Sequence, residues 1–256
     1  TSDDDVYGSA LPQLYGEMAI DRWTLRAGHF FSLMGYERIA AVNNFFYSRS
    51  YAFGIEPITH MGALASYRLA DGVEITGGIT NGWDNGWLDP SEAITGLGKV
   101  SVDLTDRAAL SYALTFGDLE PGNEVYLHSI VLQWRLSRRW EYVLQSDFLV
   151  DTGGAADVRQ DYGMNQYLFY KINDCWKIGA RIEWLRAESH NTLKYHNDVF
   201  ETRTGMTFGL HYSPTCNLMI RPELRWDSAT GPMANDFNDR HNTYQFAGGL
   251  DVILRF

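Results

Sequence analysis

The sequence predicts an all-β fold, an antiparallel up-and-down barrel set in a membrane. Three features predict it: about thirteen period-two segments, connectors that alternate short and long, and an amphipathic last segment ending on an aromatic residue. In that segment Tyr244, Phe246, Leu250, Val252, Leu254 and Phe256 share one face. Thr243, Gln245, Ala247, Gly249, Asp251 and Arg255 share the other, with Ile253 the exception. A greasy face of this kind meets lipid while the polar face meets a wet lumen.

Composition agrees with this reading. The chain of 256 residues reads as one β domain over 1–256, and its net charge of -11 excludes a nucleic-acid surface. No apolar run approaches the roughly 18 residues of a membrane helix, but a spanning strand needs only about 9 to 11 and hides its apolar character in alternate positions. The 15 Tyr, 13 Phe and 8 Trp suit lipid-facing bands and interfacial girdles. Thr1 to Asp5 is acidic and polar rather than a signal peptide, so the chain reads as mature or truncated. Cys175 and Cys216 differ in parity, one inward and one outward, which favours two free thiols near turns over a disulfide.

In chain order the expected strands are 11–20, 23–31, 58–69, 73–81, 96–104, 107–116, 125–136, 140–150, 161–172, 175–187, 200–212, 216–227 and 243–256. Asp21-Arg22, Ala70-Asp71-Gly72, Thr105-Asp106, Ser137-Arg138-Arg139, Asn173-Asp174 and Ser213-Pro214-Thr215 are expected as tight turns. The connectors 32–57, 82–95, 117–124, 151–160, 188–199 and 228–242 are expected as long loops. Strict alternation places periplasmic turns at one rim and extracellular loops at the other. The first strand then runs towards the periplasm and Thr1 to Ala10 begins outside. Because single-chain bacterial barrels have even strand numbers, an odd number of strands is expected upstream.

Parity assigns the faces. On 175–187, Trp176, Ile178, Ala180, Ile182 and Trp184 point out, and Lys177, Gly179, Arg181 and Glu183 point in. On 200–212, Met206, Phe208, Leu210 and Tyr212 point out, and Glu201, Arg203, Gly205, Gly209 and His211 point in. On 216–227, Leu218, Ile220, Pro222, Leu224 and Trp226 oppose Met219, Arg221, Glu223, Arg225 and Asp227. Trp23, Tyr67, Trp134, Trp140, Trp176, Tyr212 and Phe256 gather at the turn side as a periplasmic girdle, with Trp83, Trp184 and Trp226 towards the loops.

The expected pore-lining set is therefore Lys177, Arg181, Glu183, Glu201, Arg203, Arg221, Glu223 and Arg225. Two readings fit it: a charged ladder that orients and filters solutes, or charges that solvate and pair across a watery lumen. The connector 32–57 is too long and too aromatic for a solvated loop, since Met34, Tyr36, Phe45, Phe46, Tyr47, Tyr51 and Phe53 need cover. Folding into the lumen is favoured over draping the rim. Tyr36, Glu37, Arg38, Asn44, Phe46, Tyr47 and Arg49 are then the candidate constriction, with Asn43 and Glu56 adding to its polar surface.

No catalytic, cofactor or metal site is expected. His128 lacks a serine at i+2 and its neighbour Ser129 points the other way, while His29, His60, His190, His196, His211 and His241 are scattered. Asp84, Asp89, Glu92, Asp236 and Asp239 could draw divalent cations at a lipopolysaccharide surface but lack EF-hand spacing. Gly77, Gly98 and Gly248 on the lipid face hint at contacts between barrels.

The run Gly28-His29-Phe30-Phe31, Gly35-Tyr36-Glu37, Asn44-Phe45-Phe46-Tyr47-Ser48, Glu56-Pro57, Thr59-His60-Met61-Gly62 and Asn81-Gly82-Trp83-Asp84, joined later by His128-Ser129-Ile130 and Glu141 to Asp147, resembles the OmpL-like family of β-barrel porins, the second porin family of that kind. The resemblance covers essentially the chain from Leu11 and implies further strands upstream, for a barrel of about sixteen. It implies an outer-membrane location in lipid and lipopolysaccharide, and passive diffusion of small hydrophilic solutes or ions without a cofactor. The alternative is a plugged barrel serving as an envelope anchor, a homo-oligomer or a subunit of a larger assembly.

Overall fold

The computed structural model describes residues 11–85, 93–120, 122–153, 157–191, 199–231, 237 and 242–255. The expected first loop 1–10, Asp89, Glu92, His196, Asp236, Asp239, His241 and Phe256 lie outside them, as does the side chain of His190.

Every expected strand is present. They are β1 (Leu14–Ile20), β2 (Trp23–Phe31), β3 (Thr59–Ala70), β4 (Val73–Thr80), β5 (Ile94–Thr105), β6 (Ala108–Glu120), β7 (Asn123–Trp134), β8 (Trp140–Asp151), β9 (Asp157–Lys171), β10 (Trp176–Asn191), β11 (Val199–Thr215), β12 (Leu218–Thr230) and β13 (Tyr244–Leu254). They form one 13-stranded antiparallel sheet paired strictly in chain order. No pairing joins β1 to β13 among the described residues.

Several connectors are shorter than expected, since β8 reaches Asp151 and β9 begins at Asp157, and β10 reaches Asn191 and β11 begins at Val199; two others change most. The long loop at 117–124 shrinks to residues 121–122, because β6 and β7 stay paired as far as Glu120 and Asn123. Backbone pairing continues past the lipid-facing alternation from which the strand ends were read, since a ladder needs hydrogen bonds and not apolar side chains. The turn expected at 213–215 moves to Cys216-Asn217, and the register slips between Tyr212 and Thr215. Pro214 has no N–H for the ladder, which accounts for an irregularity there. Cys216 in this turn and Cys175 in the connector between β9 and β10 are free and exposed.

The outer face is apolar as parity requires. Ile182, Phe208, Leu224 and Leu250, on successive strands, are all exposed. At the turn side, aromatic pairs cross between strands: Trp23 with Tyr67 and Trp140 with Tyr170, each at 4.6 Å between ring centroids, and Trp176 stacked on Tyr212 at 3.9 Å. Trp83 differs from the other loop-side tryptophans, since its Nε1 donates inward to Thr115 Oγ1 at 3.2 Å.

The segment 32–58 after β2 sets the curvature. Its residues bond Lys99 on β5, Gln145 on β8, Glu183 on β10 and Glu223 on β12. Strands β5 and β12 would lie about 33 Å apart on a flat sheet at the usual strand spacing. The sheet therefore curls round the segment as a barrel wall does.

Candidate functional site

Segment 32–58 has only two short 3-10 turns, Ala41–Asn43 and Ala52–Ile55. Its backbone amides and carbonyls cannot rely on a ladder and must find partners elsewhere. The inward charges of β10 and β12 supply them. Glu223 accepts from the N–H of Tyr47 at 2.8 Å and of Ser48 at 3.0 Å, and Glu183 accepts from Tyr51 N–H at 2.7 Å. In the opposite sense Arg181 donates to Ser48 O at 2.8 Å, Arg221 to Ala41 O at 2.9 Å and Asn44 O at 2.5 Å, and Arg225 to Arg49 O at 2.7 Å.

The same side chains pair with one another. Arg181 bridges Glu37 at 2.8 Å and Glu183 at 3.3 Å, Arg225 bridges Glu183 at 2.9 Å and Asp227 at 2.7 Å, and Arg221 pairs with Asp251. Tyr51 closes the group by donating to Asp227 at 2.8 Å. On β8 and β9, Gln145 accepts from Tyr36 N–H at 3.0 Å and donates to Glu56 at 2.8 Å, while Tyr167 donates to Glu37 at 3.1 Å. Burial, reinforced by the Asp147 carboxylate, pushes the Glu56 carboxyl well above the usual range. Burial followed by the bond to Asp227 pushes the Tyr51 hydroxyl up as well.

Aromatic packing fills the turn side of this clamp. Phe45 meets Phe46 edge-on at 4.9 Å and lies 4.9 Å from Phe169, and Lys177 Nζ sits 4.4 Å from the Phe169 ring centre. Inward-facing Gly179 and Gly209 make room for the rings, because a Cβ at either would stand 2.6 to 3.0 Å from Phe45 or Phe46 carbons.

The eight expected pore-lining residues thus all point inward but divide by exposure. Lys177, Glu201 and Arg203 keep 35%, 19% and 32% of their side-chain area open. Arg181 and Glu183 keep none and Arg221 keeps 1%; Glu223 is buried and Arg225 is nearly so. The expectation of a basic wall bathed in water is corrected at these positions: they are sealed under the segment, and their hydrogen bonds go to its backbone. Parity on β8 and β9 would have added the clamp residues Gln145, Tyr167 and Asn165, whose Nδ2 donates to Ser50 Oγ at 3.1 Å, while Asp227, read as inward, belongs to the clamp as well.

Across the interior the wall has a different character. Leu64, Leu97, Leu127 and Leu149 form a buried layer with Phe30 and with Met34 and Ile55 of the segment. On the turn side of that layer, Lys99, Arg68 and Glu74 remain at least partly open. His128 lies on the outer face with Tyr126, its Nδ1 at 3.1 Å from the tyrosine oxygen, while Ser129 is buried inside. Gly77 on the same outer face has nothing within reach of a Cβ.

A family model described as Putative beta-barrel porin-2, OmpL-like, matches residues 2–256. The chain belongs to that family. It is an outer-membrane β-barrel that crosses lipid with strands, in surroundings of lipid and lipopolysaccharide. Solved structures agree on the fold. A loop-deleted form of OmpT, an outer membrane protein of Vibrio cholerae, superposes with a TM-score of 0.62 at 11% identity, over 93% of this chain and 78% of that one. The outer membrane channel DcaP of Acinetobacter baumannii gives 0.59 at 9% identity, over 93% and 73%. Among curated proteins, none matches the chain in sequence.

For this family member the geometry offers a wall with a charged inner face and a segment that crosses the interior, clamped by charge on one side and packed against apolar residues on the other. Such an arrangement can hold a narrow, immobile constriction, since the segment is tied by charge-assisted bonds rather than by side-chain packing alone.

Proposed function

We propose that the protein is a non-enzymatic channel for passive diffusion of small hydrophilic solutes or ions across the outer membrane, with 32–58 as its constriction loop. The observation that carries this is the pairing of a clamped segment with charges left open beside it: Lys177 and Arg203 on one side and Arg68, Glu74 and Lys99 on the other. A solid plug has no need of water-facing charge, whereas a porin-sized barrel needs a restriction to be selective. Tyr36, Glu37, Arg38, Asn44, Phe46, Tyr47 and Arg49 shape that restriction.

The apolar layer of Phe30, Met34, Leu97 and Leu127 favours a second reading, a plugged barrel that acts as an envelope anchor or assembly subunit. Conductance of the refolded protein in a planar bilayer under a salt gradient separates them. Stepwise ohmic openings are expected from the channel; silence from a demonstrably folded barrel supports the plug.

A further inference from the structure

Between the segment and strands β3–β7 lies a polar cavity of about 440 Å³, within the range of small-molecule sites. Three cationic side chains line it: Arg38 from the segment, Arg68 from β3 and Lys99 from β5. Neither Arg38 nor Arg68 has an ion pair or a side-chain hydrogen bond among the described residues, and both are exposed. Lys99 donates to Leu33 O at 3.2 Å and makes no direct ion pair among the described residues, although Glu74 and Glu56 lie within its field. The contrast with Arg181 is complete, because that guanidinium is buried and bonded to Glu37, Ser48 and Thr207.

The rest of the lining is equally specific. Glu74, Ser101 and Ser111 are directly paired across β4, β5 and β6, so they stand on one transverse row of the inner face. Lys99 lies one step along the strand on the same face, two residues from Ser101. The cations outnumber the two lining carboxylates, Glu74 and Asp103. Arg68 stands opposite Glu74 across β3 and β4, so what remains is an excess of cationic over anionic charge, and such an excess on a concave wall concentrates anions. Hydroxyls and carboxylates beside them suit a ligand that carries hydroxyl groups of its own.

We propose that this cavity is a binding site for small hydroxylated organic anions, whose carboxylate is held by Arg68, Lys99 and Arg38 and whose hydroxyls meet Ser101, Ser111 and Glu74. The site deepens the channel reading and rests on it for transit, though not for binding. Selectivity then resides on β3–β6 and the facing loop residue, and the arginines of β10 and β12 hold the segment.

Equilibrium dialysis of radiolabelled gluconate against the folded protein in detergent micelles tests the site, with sorbitol as the uncharged competitor. Saturable binding that unlabelled gluconate displaces and sorbitol does not is expected. Arg68→Gln and Lys99→Gln should each weaken it about tenfold, the value of one charge-assisted contact. Lys171→Gln, at a periplasmic turn, should leave it unchanged. Unheated electrophoretic mobility reports that each variant is folded. Absence of saturable binding to the unaltered protein, or equal binding by the two cavity variants, overturns the site. Bilayer currents separate the two ideas: binding without conduction sinks the channel and leaves the site, and conduction without binding sinks the site and leaves the channel.

Discussion

The two sides of the inner wall use charge in opposite ways. On β10 and β12, arginines and glutamates are dense, buried and bonded to the segment 32–58. On β3–β5, charges are fewer, yet Arg68 and Glu74 are open and Lys99 is only half-covered. Density of charge on an inward face is therefore a poor guide to what a solute meets. A lumen that receives a loop must satisfy that loop's backbone, and the residues that do so carry the same parity and the same charge as a filter. Availability separates the two.

The largest expected effect breaks the clamped side. Arg181 is fully buried between Glu37 and Glu183, and its removal leaves the Glu37 carboxylate without its counter-charge and Glu183 with Arg225 alone. Arg181→Ala should lower stability by about 3–5 kcal/mol, the usual cost of breaking a buried pair. Urea unfolding of the refolded protein measures this, and limited proteolysis should show new cleavage within 32–58. A stable variant with a protected segment would show that the clamp does not depend on its central arginine.

Leu127 offers the matching test opposite. It is wholly buried in the apolar layer that Met34 and Ile55 of the segment complete. Leu127→Ala should cost about 3 kcal/mol through the cavity it leaves, with little change in ion preference, since no charge moves. A large shift in reversal potential at constant stability would mean that solutes cross the apolar layer itself.

These two sides were unequally legible in the sequence. The strands were readable because lipid forces apolar residues onto every second position, and Phe208, Leu224 and Leu250 obey it. The inward direction of Arg181, Arg221 and Glu223 was readable for the same reason. Their burial was not, because it depends on residues more than a hundred positions away in the chain. Gly179 and Gly209 gave no sign that they clear space for Phe45 and Phe46, a constraint visible only once loop and wall are brought together. Arg68 and Lys99 obey the same parity on β3 and β5, but charges scattered one to a strand form no cluster along the chain, and only the folded wall brings them together.

A pH titration sharpens the comparison where the segment crosses from one side to the other. Glu56 faces Gln145 and Asp147 on β8, Ser129 on β7, Lys99 on β5 and Glu37 of its own segment. Its carboxyl is raised in the folded state, so the stability it contributes is fully present below its unfolded value of about 4.3 and is lost as pH rises through the higher folded value. The unaltered protein should lose up to about 1.4 kcal/mol per pH unit from this proton across that window. Glu56→Gln should flatten the loss, as read from urea midpoints at successive pH values. An unchanged slope in the variant would assign the dependence to other carboxylates of the clamp.

The smallest effect is expected where the clamped side meets water. Lys177 and Glu141 approach to 3.1 Å with about a third of each side chain open, so solvent screens the pair and its net contribution is about 0–1 kcal/mol. Lys177→Gln should accordingly shift the urea midpoint only slightly, far less than Arg181→Ala on the same strand. The side chain also lies over Phe169, where an ammonium gains from the ring face. Comparison with Glu141→Gln isolates that part, because this variant removes the ion pair and leaves the ammonium over the ring. If Lys177→Gln proved as damaging as Arg181→Ala, exposure would lose its standing as the criterion that divides the inner wall.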